Sequence, residues 1–280
     1  MNKAFLALDI DGTITETNHK IHPVMIEFLK WCHENKVVVG LITGRFFPFA
    51  HAQLKDLKFP YYLASQNGAQ IFHMPEIKNL SNFYLSKDLV MMIDTISKDF
   101  KEDFIVYTDH RTDYKTFYRQ GRFSQKLLNH ISQLESTAYH PFIQIDCFAN
   151  LPQKAFPCLK NFGSYEETKP LHDKIKQLPV EQSLIRDPTS DIYTMNLVTH
   201  LSASKGGAVS NILKFIDQDL PVIAAGNDRN DISLLENADI GICVGGNPPE
   251  ELKVVATHFA RTPGIGLIDT IKEAITQLGV

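Results

Sequence analysis

The chain has 280 residues, 44% of them hydrophobic and 21% charged, enough for one large domain or two modest ones, each with its own core. Its 28 basic and 32 acidic residues leave a net charge of −4 with no Lys/Arg stripe, which argues against nucleic acid as a partner, and no apolar stretch reaches the length of a membrane span. Cys32, Cys147, Cys158 and Cys243 form no CxxC pair, and the 11 histidines show no HExxH or HxxEH spacing, so reduced thiols are expected and a histidine zinc site is not.

Residues 4–8 read as a buried strand that runs into Asp9 and Asp11 and then Gly12-Thr13. The carboxylates cut the apolar stretch short, so it is no signal peptide, and a soluble cytoplasmic protein is the expectation. Alternate strand residues face one side, so continuing the strand would set two like charges together. That costs free energy unless a cation lies between them or one carboxyl keeps its proton, which points to a divalent metal, to acid/base chemistry or to both. The plainer alternative is a strand end followed by an Asp-Gly turn.

Residues 23–35 place Met25, Leu29 and Cys32 at helical spacing, and 37–42 (VVVGLI) form a continuous apolar run, as in a strand buried on both faces. That run ends at Thr43-Gly44-Arg45. A helix over 48–57 follows, then a strand over 61–65 and a hairpin signal at Asn67-Gly68.

From about residue 82 to 188 the texture changes to helix-like stretches alternating with short strands such as FIVYT and FIQID. This reads as a separate α/β unit. Its polar loops, Asp109-His110-Arg111 and Arg119 to Arg122, are candidate substrate contacts. The opening rhythm then resumes with a strand over 192–198 and a helix over 204–217 capped by Ser204. A strand over 221–225 ends at Gly226-Asn227-Asp228, a further strand covers 240–244, and a helix over 266–278 closes the chain. Strands alternating with helices predict an α/β, doubly wound, mostly parallel sheet, with a core of residues 1–82 and 189–280 and an inserted α/β unit of 83–188.

Asp9/Asp11, Thr43-Gly44 and Gly226-Asn227-Asp228 each follow a predicted core strand, and in an open parallel sheet those ends share the ligand-binding edge. Lys205 falls in the first turn of its helix, where the dipole disfavours a cation unless an anion or solvent matches it.

These segments together, DIDGT, LITGR, SKGGA and GNDRND in that order, resemble the haloacid dehalogenase-like (HAD) phosphatases. The Asn67-Gly68-Ala69 hairpin and the insertion after it are most similar to the Cof-type branch, whose insertion is an α/β cap that selects substrate. The resemblance implies a Mg2+-dependent phosphatase acting on phosphomonoesters of small metabolites such as sugar phosphates, through an aspartyl-phosphate intermediate. On that pattern Asp9 is the nucleophile, and Asp11 protonates the leaving group and then deprotonates water. Ile10, Thr43, Gly44, Lys205 and Asn230 hold the phosphoryl group, Asn230 touching it or orienting Lys205. Asp9, Asp11, Asn227, Asp228 and Asp231 surround the metal, with a backbone carbonyl from Ile10 or Asp11. Related ion pumps carry threonine where Asp11 stands, so the carboxylate favours hydrolysis. The fourth motif departs from the usual GDxxND, since Asn227 replaces its first aspartate and brings no charge. A phosphatase or phosphomutase dedicated to one sugar phosphate, and a weakened phosphate-binding homologue, remain the alternatives. No GxxxxGK[ST] or GxGxxG occurs, which disfavours a P-loop NTPase or a dinucleotide-dependent dehydrogenase. Nothing in the sequence sets the oligomeric state.

Overall fold

The computed structural model describes every residue except 1, 17–19, 110–113, 153 and 191. The chain divides into two compact units, Met1–Asn82 with Ala203–Val280, and Phe83–Ser202. Among the described residues no helix is long and apolar enough to cross a membrane.

The first unit is built on an eight-stranded sheet. Its spatial order is His258–Ala260, Ile240–Val244, Val222–Gly226, Ala4–Leu8, Val37–Ile42, Tyr61–Ser65, Gln70–Met74 and Lys78–Asn82. The first six strands pair in parallel and the last two join antiparallel. Ala4–Leu8 lies in the middle and every residue in it is buried, which explains an unbroken apolar run where a one-sided strand would alternate. Gly40 in the next strand has no side chain for a local reason. A Cβ there would lie 2.4 Å from Cζ of Phe5, whose ring fills that space. The Asn67-Gly68 signal marks a real antiparallel connection, with Ser65 paired to Gln70 across residues 66–69. The helix expected over 48–57 is shorter, Phe47–Gln53, with Pro48 in its first turn.

The second unit carries a six-stranded sheet in the order Val180–Arg186, Thr194–His200, Cys158–Gly163, Phe104–Thr108, Lys115–Tyr118, Phe142–Gln144. All its pairs are antiparallel except the last. Val90 and Ile93 from helix Lys87–Ser97, and Leu171 and Ile175 from helix Tyr165–Ile175, pack on Phe104, Val106, Leu159 and Val198.

This corrects the expected boundary. The strand placed over 192–198 in the first sheet is Thr194–His200 in the second, paired antiparallel on both sides, so the second unit runs to 202 and not to 188. A strand buried between two neighbours reads as an apolar run whether those neighbours are parallel or antiparallel, and periodicity cannot tell the two apart.

Two further expectations change here. Arg119, a polar loop candidate for substrate contact, has its guanidinium taken up within the second unit. Its guanidinium bonds Asp103 through Nε (2.7 Å) and Nη2 (2.9 Å), reaches Asp94 at 2.5 Å, and lies 4.0 Å over the Phe148 ring. Arg122 donates to the carbonyls of Ser97 (3.0 Å) and Phe100 (3.4 Å) at the end of helix Lys87–Ser97, satisfying acceptors that the helix leaves open. Asp109 accepts from the Tyr84 hydroxyl, while His110 and Arg111 lie outside the described residues.

Candidate active site

Three strand ends and one helix start meet at the edge of the first sheet. Asp9 follows the central strand and its N–H bonds the Ala225 carbonyl at 3.0 Å, which ties it to the neighbouring strand. From helix Lys205–Ile216, capped by the Ser204 hydroxyl at Gly207 N–H, Lys205 extends into the interior with 1% exposure. Its ammonium donates to Asp9 Oδ1 and to Asp231 Oδ1, each at 2.5 Å. Residues 196 positions apart in the chain are thus in direct contact. The anion that the first-turn lysine called for is a pair of carboxylates of the protein itself.

The other Asp9 oxygen, Oδ2, accepts from the Thr13 hydroxyl at 3.0 Å. The Asn227 amide end faces three oxygens: turned to present its nitrogen it donates to Asp9 Oδ2 at 3.2 Å, the Asp11 carbonyl at 3.0 Å and Thr13 Oγ1 at 3.3 Å, and in the other orientation its Oδ1 accepts from the Thr13 hydroxyl at 3.3 Å. The chain can come this close because residue 12 is glycine. Its φ is +75°, and a Cβ there would lie 2.4 Å from the Asn227 amide.

Asp231 is fully buried and its carboxylate is committed. Oδ1 takes Lys205, and Oδ2 accepts the N–H groups of Asn227 (2.9 Å) and Asp228 (3.0 Å). It therefore orients Lys205 and the 226–228 turn, in place of the metal-ligand role expected of it. Asp228 caps the following turn, accepting from Arg229 N–H at 2.7 Å. Asn230, expected at Lys205 or the phosphate, instead donates to Asn67 Oδ1 at 3.2 Å. Asn67 N–H in turn bonds the Thr43 carbonyl at 2.8 Å, which links the fourth motif to the second through the hairpin turn. Thr43 is buried and its Oγ1 accepts from Arg45 N–H at 3.0 Å, with Gly44 between them. The Ile10 carbonyl is used within its own turn, accepting from Thr15 N–H (3.1 Å) and Thr15 Oγ1 (3.0 Å), so Asp11 supplies the backbone oxygen that faces Asn227.

Asp11 stands apart from the lysine network. Arg45 grips its carboxylate at both oxygens, Nε to Oδ2 at 2.5 Å and Nη2 to Oδ1 at 2.6 Å.

The electrostatics follow from burial. Removal from water pushes the Asp9 carboxyl up to about 7; Lys205 pulls it back, while Asp231 and Asp11 push it further up. Burial opposes the charge on Lys205, but Asp231 and Asp9 outweigh it and hold the ammonium well above its ordinary value. Two buried carboxylates thus share one cation, and the pocket is short of positive charge.

Among the described residues no three His, Cys, Asp or Glu side chains cluster as a metal site. The oxygens that do converge suit a hard cation all the same. Asp9 Oδ2 and the Asp11 carbonyl meet at Asn227, whose amide, turned about its last bond, offers a third oxygen to the same point. Mg2+ is commonly held by one or two carboxylates with other oxygens and waters, so the donor set fits.

Thr13 and Asn67 carry contacts that sequence reasoning did not assign. Thr13 was visible as the last residue of DIDGT, whereas Asn67 was legible only as a turn residue.

Residues 6–264 match the family model of the haloacid dehalogenase-like hydrolases. A Haemophilus influenzae protein provisionally named a phosphatase is 24% identical over 269 residues, 93% of this chain and 94% of that protein. Among solved structures, the HAD subclass IIB sugar phosphatase BT4131 superposes with a TM-score of 0.74 at 20% identity, covering 99% of both chains. The phosphatase BT1666 of Bacteroides thetaiotaomicron gives 0.73 at 18% identity, over 99% of this chain and 96% of that one. At such identities the likeness of the structures establishes the fold.

Proposed function

The chain belongs to the haloacid dehalogenase-like hydrolases, and from that premise we propose that it is a Mg2+-dependent phosphomonoesterase working through an aspartyl-phosphate intermediate. The observation that carries this reading is the Lys205 ammonium seated 2.5 Å from the Asp9 carboxylate at the end of the central strand. A buried carboxylate with an adjacent fixed cation can attack phosphorus while the cation draws off charge from the phosphoryl oxygens.

An oxygen of Asp9 forms the new P–O bond as the ester P–O bond breaks. The departing alkoxide takes a proton from Asp11, and the alcohol leaves. Asp11 then removes a proton from water, which attacks phosphorus, releases inorganic phosphate and restores Asp9. Lys205, the Thr43 hydroxyl and the Gly44 N–H hold the phosphoryl oxygens, while Asp231 keeps Lys205 aimed. Mg2+ held by Asp9, the Asp11 carbonyl and Asn227 would offset repulsion between the nucleophile and an anionic substrate. Asn227 adds no charge, so Mg2+ is expected to bind more weakly than to an aspartate in that position. The substrate class is small phosphorylated metabolites, with sugar phosphates first because a protein of the same fold is named a sugar phosphatase.

The test is phosphate release from an aryl phosphate by purified protein. Release should require Mg2+ and fall at least about 10⁴-fold in Asp9→Asn, in line with loss of a covalent nucleophile. Because burial opposes the Asp9 charge, that variant should melt no lower than the parent. Turnover surviving in Asp9→Asn would remove the nucleophile from the scheme.

A further inference from the structure

Arg45 is the strongest feature of the site that the scheme leaves unused. Its grip on Asp11 is two-pointed, with side-chain exposures of only 11% and 18%. A planar guanidinium fork paired to both oxygens fixes the plane and position of a carboxylate as a single ammonium contact cannot.

The arginine is itself held. Its N–H bonds Thr43 Oγ1 at 3.0 Å, its carbonyl accepts from Gln66 N–H at 3.0 Å, and its guanidinium lies 5.3 Å from the Phe49 ring centre. Gln66 and Asn67 both have positive φ, +49° and +55°, a conformation that non-glycine residues adopt only when their surroundings enforce it. What enforces it here is the set of bonds from 66 to Arg45, from 67 to Thr43, and from Asn230 to Asn67.

We propose that Arg45 is a positioning residue for Asp11: its guanidinium sets the carboxylate in the place from which it serves the leaving group, and gives up one of the two contacts when a phosphoryl anion enters the site. An Asp11 oxygen exchanges a proton with the leaving group or water more readily once it no longer accepts from a guanidinium N–H. An entering dianion offers the guanidinium a second partner, so one oxygen of Asp11 is released while the other stays anchored. The inference rests on the phosphatase reading, in which Asp11 serves the leaving group.

Its signature is a dependence on the leaving group that a purely structural arginine would not produce. An alkoxide needs the proton from Asp11, whereas a good aryl leaving group departs with little help. kcat/KM covers the steps up to departure of the alcohol, so it isolates this role. Arg45→Ala should lose at least about 30-fold in kcat/KM on an alkyl phosphate and less than about 3-fold on an aryl phosphate, within the range spanned by general acids. Arg45→Lys, which keeps the charge but not the fork, should fall between parent and alanine variant on the alkyl ester alone, and guards against misfolding of Arg45→Ala. Equal losses on both esters in both variants would overturn the positioning role and leave the phosphatase reading standing. A parent protein inert to both esters would overturn the two together.

Discussion

Each unit buries a cation between two carboxylates, and the two arrangements differ in what is left over. In the first unit Lys205 sits 2.5 Å from both Asp9 and Asp231. In the second Arg119 spans Asp103 and Asp94 and rests on Phe148. Arg119 offers five N–H donors in a fixed plane, so its carboxylates are met by directed bonds and its ring face by an aromatic partner. Lys205 is a compact charge, and the second Asp9 oxygen meets the neutral Thr13 and Asn227 instead of a cation among the described residues. The same charge count therefore makes a structural rivet in one unit and, on the proposed reading, sets a nucleophile beside the cation that holds the phosphoryl group in the other.

The sharpest way to break that comparison is to remove each cation. Lys205→Met should lose about 10²–10³-fold in kcat, the scale of deleting a fixed charge at a developing anion. Its fall in stability should be the smaller of the two, because Asp9, already pushed up to about 7, can take a proton when the ammonium is gone. Arg119→Met should cost about 3–5 kcal/mol in denaturant unfolding, since it strands two buried carboxylates, yet leave kcat of the folded protein unchanged. A large loss of kcat in Arg119→Met, with folding intact, would erase the distinction.

The smallest expected effect concerns a titration in the second unit. Burial, and after it Lys160, pushes His140 down to about 4, while its Nε2 lies 2.8 Å from Thr116 Oγ1 and its ring stacks on Phe142. Below the ordinary histidine value the unfolded chain takes up a proton that the folded chain refuses until about pH 4. Stability should therefore be full above pH 6.5 and fall as pH drops from 6.5 towards 4. The slope should amount to about 1–2 kcal/mol after discounting for partial exposure, and should be flatter in His140→Phe. Thermal melts across that range would show it, and an unchanged slope in the variant would assign the dependence to other groups.

Much of the site was legible because each motif follows a run of apolar residues, so strand ends could be placed without knowing which strands pair. Asp9, Lys205 and Asn227 come together at the sheet edge, as the placement of the strand ends implied. What escaped depends on contacts between distant segments. The run at 194–200 looked like any buried strand, and only its antiparallel partners assign it to the second unit. Asp231 had the residue type of a metal ligand, but its two oxygens are taken up by Lys205 and two backbone N–H groups. Arg119 read as a polar loop residue and candidate substrate contact because its two carboxylate partners lie 16 and 25 positions away.

The central claim is that the Asp9 carboxylate beside Lys205 becomes an acyl phosphate during turnover. Mixing the protein with Mg2+ and a reactive phosphate ester, quenching in acid within the first turnover and sequencing the phosphorylated peptide by mass spectrometry tests it directly. One phosphoryl group on Asp9, absent in Asp9→Asn, is the predicted result. Phosphate release at full rate with no labelled Asp9 at any quench time would contradict it.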